Sequence, residues 1–325
     1  MNWPTRRLLL TAPLLLALVQ PALSQSYPER VVRIINPFPP GGSVDITSRM
    51  LAQKLVENTG GQFIVENRAG AGGNTGADAV AKSEPDGYTL LFTAPGPLVT
   101  NPTLFTKGLP FDPNRDFVPI ALFAQTPIVL MVNQSVPANS VKELIDLAKK
   151  DPDKINFASQ GVGSTAHLTG ELFKTMAKVE ITHVPYRGAG PAMNDLVGGH
   201  IQMMFDLLPS ALPQIQGGKV RALANAGTTR PAALQNLATV AEQGLTGFGA
   251  SSFVALVAPA KTPAPVLAKL RAEVAKVMSS PDIVKRLAEL GSEPGTTVEG
   301  DVRAFLNAET KKWAEVIRLS GAKAD

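Results

Sequence analysis

One arrangement occurs twice in this chain of 325 residues, and it constrains the fold more than any other feature. From Val31 the sequence runs through β-branched residues to Pro37, then a glycine loop, Phe38-Pro39-Pro40-Gly41-Gly42. Ile46, Met50, Leu51 and Leu55 then recur at helical spacing, which predicts an amphipathic helix over 45–58 with Asp45 as the cap at its start. A strand over 63–66 follows, then the glycine-rich run from Arg68 to Gly73, a short helix over 74–81, an Asp86-Gly87 turn and a strand over 88–93. The order begins again at Ile155: a strand over 155–159, the loop Gly161-Val162-Gly163-Ser164, and a helix from Thr165 with Leu168, Leu172 and Met176 on one face. A strand over 181–186, the run Arg187-Gly188-Ala189-Gly190, a short helix over 191–197, a Gly198-Gly199 turn and a strand over 201–205 complete the unit. Gly41 and Gly161 stand 120 residues apart, and Arg68 and Arg187 stand 119 apart.

Two related strand–loop–helix units of this kind each supply the nucleus of a lobe. Phe117 to Val132 is a long apolar run interrupted by Pro119 and Pro127, and Phe248 to Ala258 is another. Both are candidates for strands that cross between lobes. The chain then leaves lobe one, builds lobe two and returns, with helices over 265–279, 280–290 and 298–320 closing lobe one. The expectation is a two-lobed α/β protein with a double hinge: lobe one over 25–123 and 248–325, lobe two over 124–247.

The first residues read as an export leader, 1–24. Arg6 and Arg7 precede an apolar stretch from Leu8 to Val19, and Ala22-Leu23-Ser24 forms a small-residue cleavage site before Gln25. That stretch is short of the ~20 residues that span a bilayer. The expected location is therefore outside the cytoplasm, in a bacterial periplasm. The chain has no cysteine, which excludes thiol catalysis and thiolate metal sites. Net charge is +4, falling to +2 without Arg6 and Arg7, and no basic run exceeds two residues, so no nucleic-acid surface is expected.

The glycine loops carry the functional reading. A helix start exposes unpaired N–H groups and about half a positive charge, and glycine lets a ligand come close to the main chain. Each loop leaves the end of a strand and opens a helix, a natural anion seat. Ser43, Ser164 and Thr165 add hydroxyls, Phe38 offers an apolar wall, and Pro37, Pro39 and Pro40 stiffen the first loop. Each charge-assisted hydrogen bond contributes roughly 1.5–3 kcal/mol. A few such bonds approach the ~8 kcal/mol of micromolar binding.

Other chemistries fit less well. The glycines from Gly70 to Gly76 miss the dinucleotide pattern by one place, and no phosphate-binding P-loop is present. Ser164, His167 and Asp206 would make an exported hydrolase, but Ser164 lacks the nucleophile-elbow setting and shares a helical turn with His167. His167, His183 and His200 lie on different elements and read as caps or packing residues, not metal ligands. No cofactor is expected.

The motifs Pro37-Phe38-Pro39-Pro40-Gly41-Gly42 with Asp45, Val65-Glu66-Asn67-Arg68-Ala69-Gly70-Ala71-Gly72-Gly73 and Asp86-Gly87-Tyr88-Thr89-Leu90-Leu91 resemble the substrate-binding proteins of tripartite tricarboxylate transporters, the Bug family. Ser159-Gln160-Gly161-Val162-Gly163-Ser164, His167-Leu168 and Val184-Pro185-Tyr186-Arg187-Gly188 extend the resemblance along the mature chain. It implies a periplasmic solute receptor of the type II, Venus-flytrap fold with two crossover hinge strands. It also implies a small carboxylate as ligand, a membrane permease as partner and a monomeric receptor. A ligand sensor for a signalling system is the alternative. Carried over, the two pinching loops are 38–43 (Phe38, Pro40, Gly41, Gly42, Ser43) and 159–165 (Ser159, Gly161, Gly163, Ser164, Thr165). Ala94 and Pro95 after the third strand, Tyr186, Gly188 and Asp206 are implied as further lining. Many members have an Asn- or Ser-rich stretch where this chain has Ala94-Pro95-Gly96, so fewer side-chain donors stand there. Arg68 and Arg187 are weighed between holding a carboxylate and stabilising the fold.

Overall fold

A computed structural model describes residues 27–186 and 188–324; the leader and Arg187 lie outside them. Ten strands form one mixed sheet: β1 (Val32–Asn36), β2 (Phe63–Asn67), β3 (Thr89–Thr93), β4 (Phe117–Asn133), β5 (Asn156–Ser159), β6 (Thr182–Pro185), β7 (Met203–Leu207), β8 (Val220–Asn225), β9 (Ser251–Pro259) and β10 (Glu293–Thr296). The first half is ordered β2-β1-β3-β9-β4, and the second β6-β5-β7-β4-β8. Each half therefore places the first strand of its repeat between the other two, and an antiparallel crossing strand beside the third.

β4 belongs to both halves. Its residues from Phe117 to Pro127 pair with β9, and those from Ile128 to Asn133 pair with β7 and β8. Pro127 has no N–H to donate, and it sits where the ladder changes partners. Pro119 is accommodated in the same way, at a register shift against β9. The second crossing is the chain that enters β9, where the Ala250 amide donates to the Ala226 carbonyl at the end of β8 and Ser251 then pairs with Pro127. The fold is thus a two-lobed α/β fold with two crossover strands, as the repeat implies.

The packing explains the helix boundaries. The helix after β1 is Ser43–Thr59, two residues longer at its start than its apolar spacing predicts, with Gly42 as its N-cap. Asp45 is not the cap; it lies in the first turn and reaches back to the loop. On one face of the first half this helix packs with Ala264–Ser279 and Pro281–Glu289 over Ile34, Leu90, Phe92, Phe123 and Leu256. On the other face a single core runs under both halves, from Leu91 and Phe117 through Leu130 and Phe157 to Phe173 and Phe205. The last helix, Glu299–Ser320, buries Trp313 in that core and packs on Thr165–Ala177 of the second half as well as on β4. None of the helices among the described residues is long and apolar enough to cross a membrane.

Candidate functional site

Register fixes where the loops point. β1 and β3 run parallel, and Thr93 at the end of β3 pairs with Ala255, on the way from Val257 towards Ser251 at the crossing. In the second half Leu207 at the end of β7 pairs with Ile128, and β5 runs parallel to β7. The carboxyl ends of both parallel sets therefore face the crossing from opposite sides, where ligands of open α/β sheets bind. Contact is also made across the divide: a β-carbon on Gly163 would stand 2.9 Å from Cδ1 of Leu104, which precedes β4.

The first loop is solvent-open, with Pro40, Gly41, Gly42 and Ser43 all exposed. It is held from beneath by Asp45, only 5% exposed. Asp45 Oδ2 accepts the Gly41 amide at 3.0 Å and Arg49 Nε at 3.1 Å, and Oδ1 accepts Arg49 Nη2 at 3.0 Å and Asn67 Nδ2 at 2.9 Å. The Arg49 hydrogen bonds, joined by those from Gly41 and Asn67, hold the Asp45 carboxyl far below the usual carboxylate range despite burial. Asn67 also donates to the Phe38 carbonyl at 3.1 Å, and Asn36 accepts the Phe38 amide at 3.1 Å. Gly42 caps its helix with no side-chain acceptor, so the first-turn amides of Ser43 and Val44 carry no hydrogen bond among the described residues. Phe38, half-buried, brings its ring tip to Gly73, where a β-carbon would meet it at 3.3 Å.

The second loop is built differently. Ser159, fully buried, accepts the Gly161 amide on its hydroxyl at 3.1 Å and lies 2.7 Å from His183 Nε2. The Gly163 amide donates to His167 Nδ1 at 3.1 Å, and Ser164 caps the helix by accepting the His167 amide at 3.2 Å. Gly161 and Gly163, at φ +135° and +79°, thus have both amides committed inside the loop. Those of Val162, Thr165 and Ala166 carry no hydrogen bond among the described residues. The neighbouring loop joins through the Gly188 amide, which donates to the Gln160 carbonyl at 3.2 Å. Gly188 caps the helix Ala189–Gly198 without a side-chain acceptor.

The remaining implied residues stand as follows. Ala94 is half-buried and Pro95 buried, leading into the helical turn Gly96–Thr100. The Tyr186 hydroxyl donates to Asp195 Oδ2 at 2.6 Å, and burial with that carboxylate pushes the phenol up to about 12. Asp206 is completely buried: Oδ1 accepts from Gln160 Nε2 and from the Leu207 amide at 2.8 Å, and Oδ2 accepts from Ser210 at 2.6 Å. Burial raises its carboxyl to about 6. Arg68 is paired with Glu66 at 2.6 Å. Asp45, Asn67, Gln160 and Ser210 hold the loops and were not legible as such: Asn67 and Gln160 act on residues far along the chain, and the short-range contacts of Asp45 and Ser210 depend on the loop fold. The Ser164–His167–Asp206 set does not assemble: Ser164 caps a helix, His167 Nδ1 is occupied, and Asp206 is engaged elsewhere. Two cavities lie apart from the loops. One of about 180 Å³ is at the crossing beside Gln125, Asn225 and Lys312, and one of about 310 Å³ is beside Leu98, Phe111 and Asn114.

A sheet of this order, with two glycine loops turned to one crossing, defines a two-lobed solute-binding protein of the periplasmic type. The particular family follows from comparison: residues 47–321 match the profile described as "Tripartite tricarboxylate transporter family receptor", and the chain belongs to that family. Protein BugT of Bordetella pertussis is 36% identical over 304 residues, covering 93% of each chain. Among solved structures, R. palustris Rpa4515 with adipate is 36% identical at a TM-score of 0.82, covering 91% of this chain and 99% of that one. MatC (Rpa3494) from Rhodopseudomonas palustris with bound malate is 32% identical at a TM-score of 0.78, covering 90% and 100%.

Proposed function

We propose that this protein is a non-enzymatic periplasmic receptor that captures a small carboxylated solute between its halves and delivers it to a tripartite tricarboxylate-type permease. The observation that carries this reading is the pair of loops at the crossing with unbonded amides: Ser43 and Val44 on one side, Val162, Thr165 and Ala166 on the other. Such amides favour negative charge and add no side chain to be ordered. Phe38, Pro40, Gly41, Gly42, Ser43, Ala94, Pro95, Ser159, Gly161, Gly163, Ser164, Thr165, Tyr186, Gly188 and Asp206 form or support the seat. In this reading Gly41, Gly161 and Gly163 allow close approach instead of donating, and Ser159 and Asp206 act from beneath.

Among small carboxylates, acidic amino acids and aromatic acids included, a dicarboxylate suits the seat best. Two loops offer two anion positions, and the relatives carrying adipate and malate hold dicarboxylates. Residues 25–123 with 248–325 and residues 124–247 act as the lobes of a monomer, and the leader 1–24 directs export. A thermal-shift panel of C4 to C8 dicarboxylates, acidic amino acids and benzoates tests the proposal. Binding at a hundred times Kd stabilises by about 2.7 kcal/mol, a shift of several degrees in a chain of this size. No shift with any acid, alongside a shift with an uncharged solute, would refute it.

A further inference from the structure

We propose that His167 is the positioning residue of the second ligand loop, serving there the purpose Asp45 serves in the first, and that it does so as the neutral, Nε2-protonated tautomer. The inference rests on the receptor reading for its functional consequence, but its structural basis is separate. In both halves a glycine with positive φ donates its amide to a side chain four residues on: Gly41 (φ +85°) to Asp45 Oδ2 at 3.0 Å, Gly163 (φ +79°) to His167 Nδ1 at 3.1 Å. The repeat conserves the device while exchanging a carboxylate for an imidazole.

The geometry says what the device does. Turning the Gly163 amide inwards onto His167, and the Gly161 amide inwards onto Ser159, leaves Val162 between two anchored residues with its own amide unbonded. Gly163 is also the residue that abuts Leu104 of the other half. His167 therefore fixes the point where the loop meets the opposite wall.

An acceptor at Nδ1 requires a lone pair there, which places the ring proton on Nε2. The surroundings favour that uncharged state. His167 is 5% exposed, stacks on His183 at 3.9 Å between ring centres, and lies against Phe157. Two imidazolium rings at that separation would repel. Nε2 faces Glu171 Oε1 at 3.8 Å, beyond hydrogen-bond distance, and Lys174 is paired with that carboxylate. A neutral acceptor also keeps a second fixed negative charge away from a loop that is to seat an anion, where Asp206 is already close through Gln160.

The test compares His167→Asn, whose amide oxygen can occupy the place of Nδ1, with His167→Leu, which removes the acceptor. Both lose the ring stack. The readouts are hydrogen exchange at the Gly163 amide and the Kd for adipate and malate. Expected are Gly163 exchange at least tenfold faster and affinity at least tenfold weaker in the Leu variant, with the Asn variant within about threefold of wild type on both. Equal behaviour of the two variants would overturn the inference, because ring packing alone would then account for His167. Nitrogen-15 shifts of the wild-type ring need no variant; a proton on Nδ1 overturns it too. If wild type binds neither these two acids nor any other acid of the thermal-shift panel, the receptor reading fails, while Gly163 exchange and the ring tautomer still decide the role of His167.

Discussion

Gly163 of the second half and Leu104 of the first stand so close that a β-carbon on the glycine would lie 2.9 Å from the leucine Cδ1. A β-carbon there would force the leucine end to shift, so the neighbour disfavours any side chain at this position in addition to the φ of +79°. Gly163→Ala should therefore cost about 1–2 kcal/mol from the left-handed backbone, plus the clash with Leu104. Adding Leu104→Ala removes the clash but not the backbone term. Denaturant titration of the four species should give an interaction energy favouring the double variant. Strict additivity would mean that the two halves do not meet there in solution.

Asp45, itself buried, holds the first loop through a part-buried network with Gly41, Arg49 and Asn67. Asp45→Ala strands several of these donors, at a cost of about 1–3 kcal/mol, and weakens carboxylate binding because the loop loses its anchor. Its folded-state pKa is depressed, so its contribution is complete above its unfolded pKa near 4 and is lost as pH falls below it. Urea midpoints measured from pH 7 to pH 3 should fall less steeply in the variant than in the wild type.

The two stacked histidines act in the same direction. Burial lowers His167 to about 3 and His183 to about 4. Between those values and the ordinary pKa near 6.5, the unfolded chain binds more protons than the folded one. Stability from this pair is therefore present at neutral pH and is lost as pH falls from 6.5. Replacing His183 by Phe, which keeps the stack on Phe157 and His167, should flatten the pH dependence of stability between 6.5 and 4. An unchanged slope would show that His183 titrates normally in the folded protein.

Asp206 acts in the opposite sense. Its pKa is raised to about 6 by burial, so the folded state holds a proton that the unfolded state has released between about 4 and 6. Stability falls as pH rises through that window. Asp206→Asn can keep the bonds from Gln160 and Leu207 on its oxygen and donate its amide to the Ser210 hydroxyl with the direction reversed, and it should remove this loss, leaving the variant relatively more stable at pH 7 than at pH 4. Comparing the two proteins at both pH values checks it.

How much of this was legible in the sequence depends on whether the signal was local. The repeat was readable because helical and strand periods put Leu51, Leu55, Leu168 and Leu172 where cores need them. β4 was readable as one long apolar run even across Pro119 and Pro127. β10 was not, because Glu293-Pro294-Gly295-Thr296 has the composition of a turn; Gly295 is needed there since a β-carbon would meet the Leu122 carbonyl at 2.2 Å. The helix Leu208–Gln216 hides in the same way behind Pro209 and Pro213. In the site, the loops were legible and their supports were not. The role of Asp45 depends on Asn67, 22 residues on, and that of His167 on its stack with His183. Such contacts leave no periodic trace. The commitment of the Gly41, Gly161 and Gly163 amides within the loops likewise follows from geometry alone.

If both loops grasp one anion together, an amide shift map of nitrogen-15-labelled protein titrated with adipate will register it. Ser43 and Val44 should move in concert with Val162, Thr165 and Ala166, along a single binding curve. Adipate binding that shifts only one of the two groups, or neither, would contradict it.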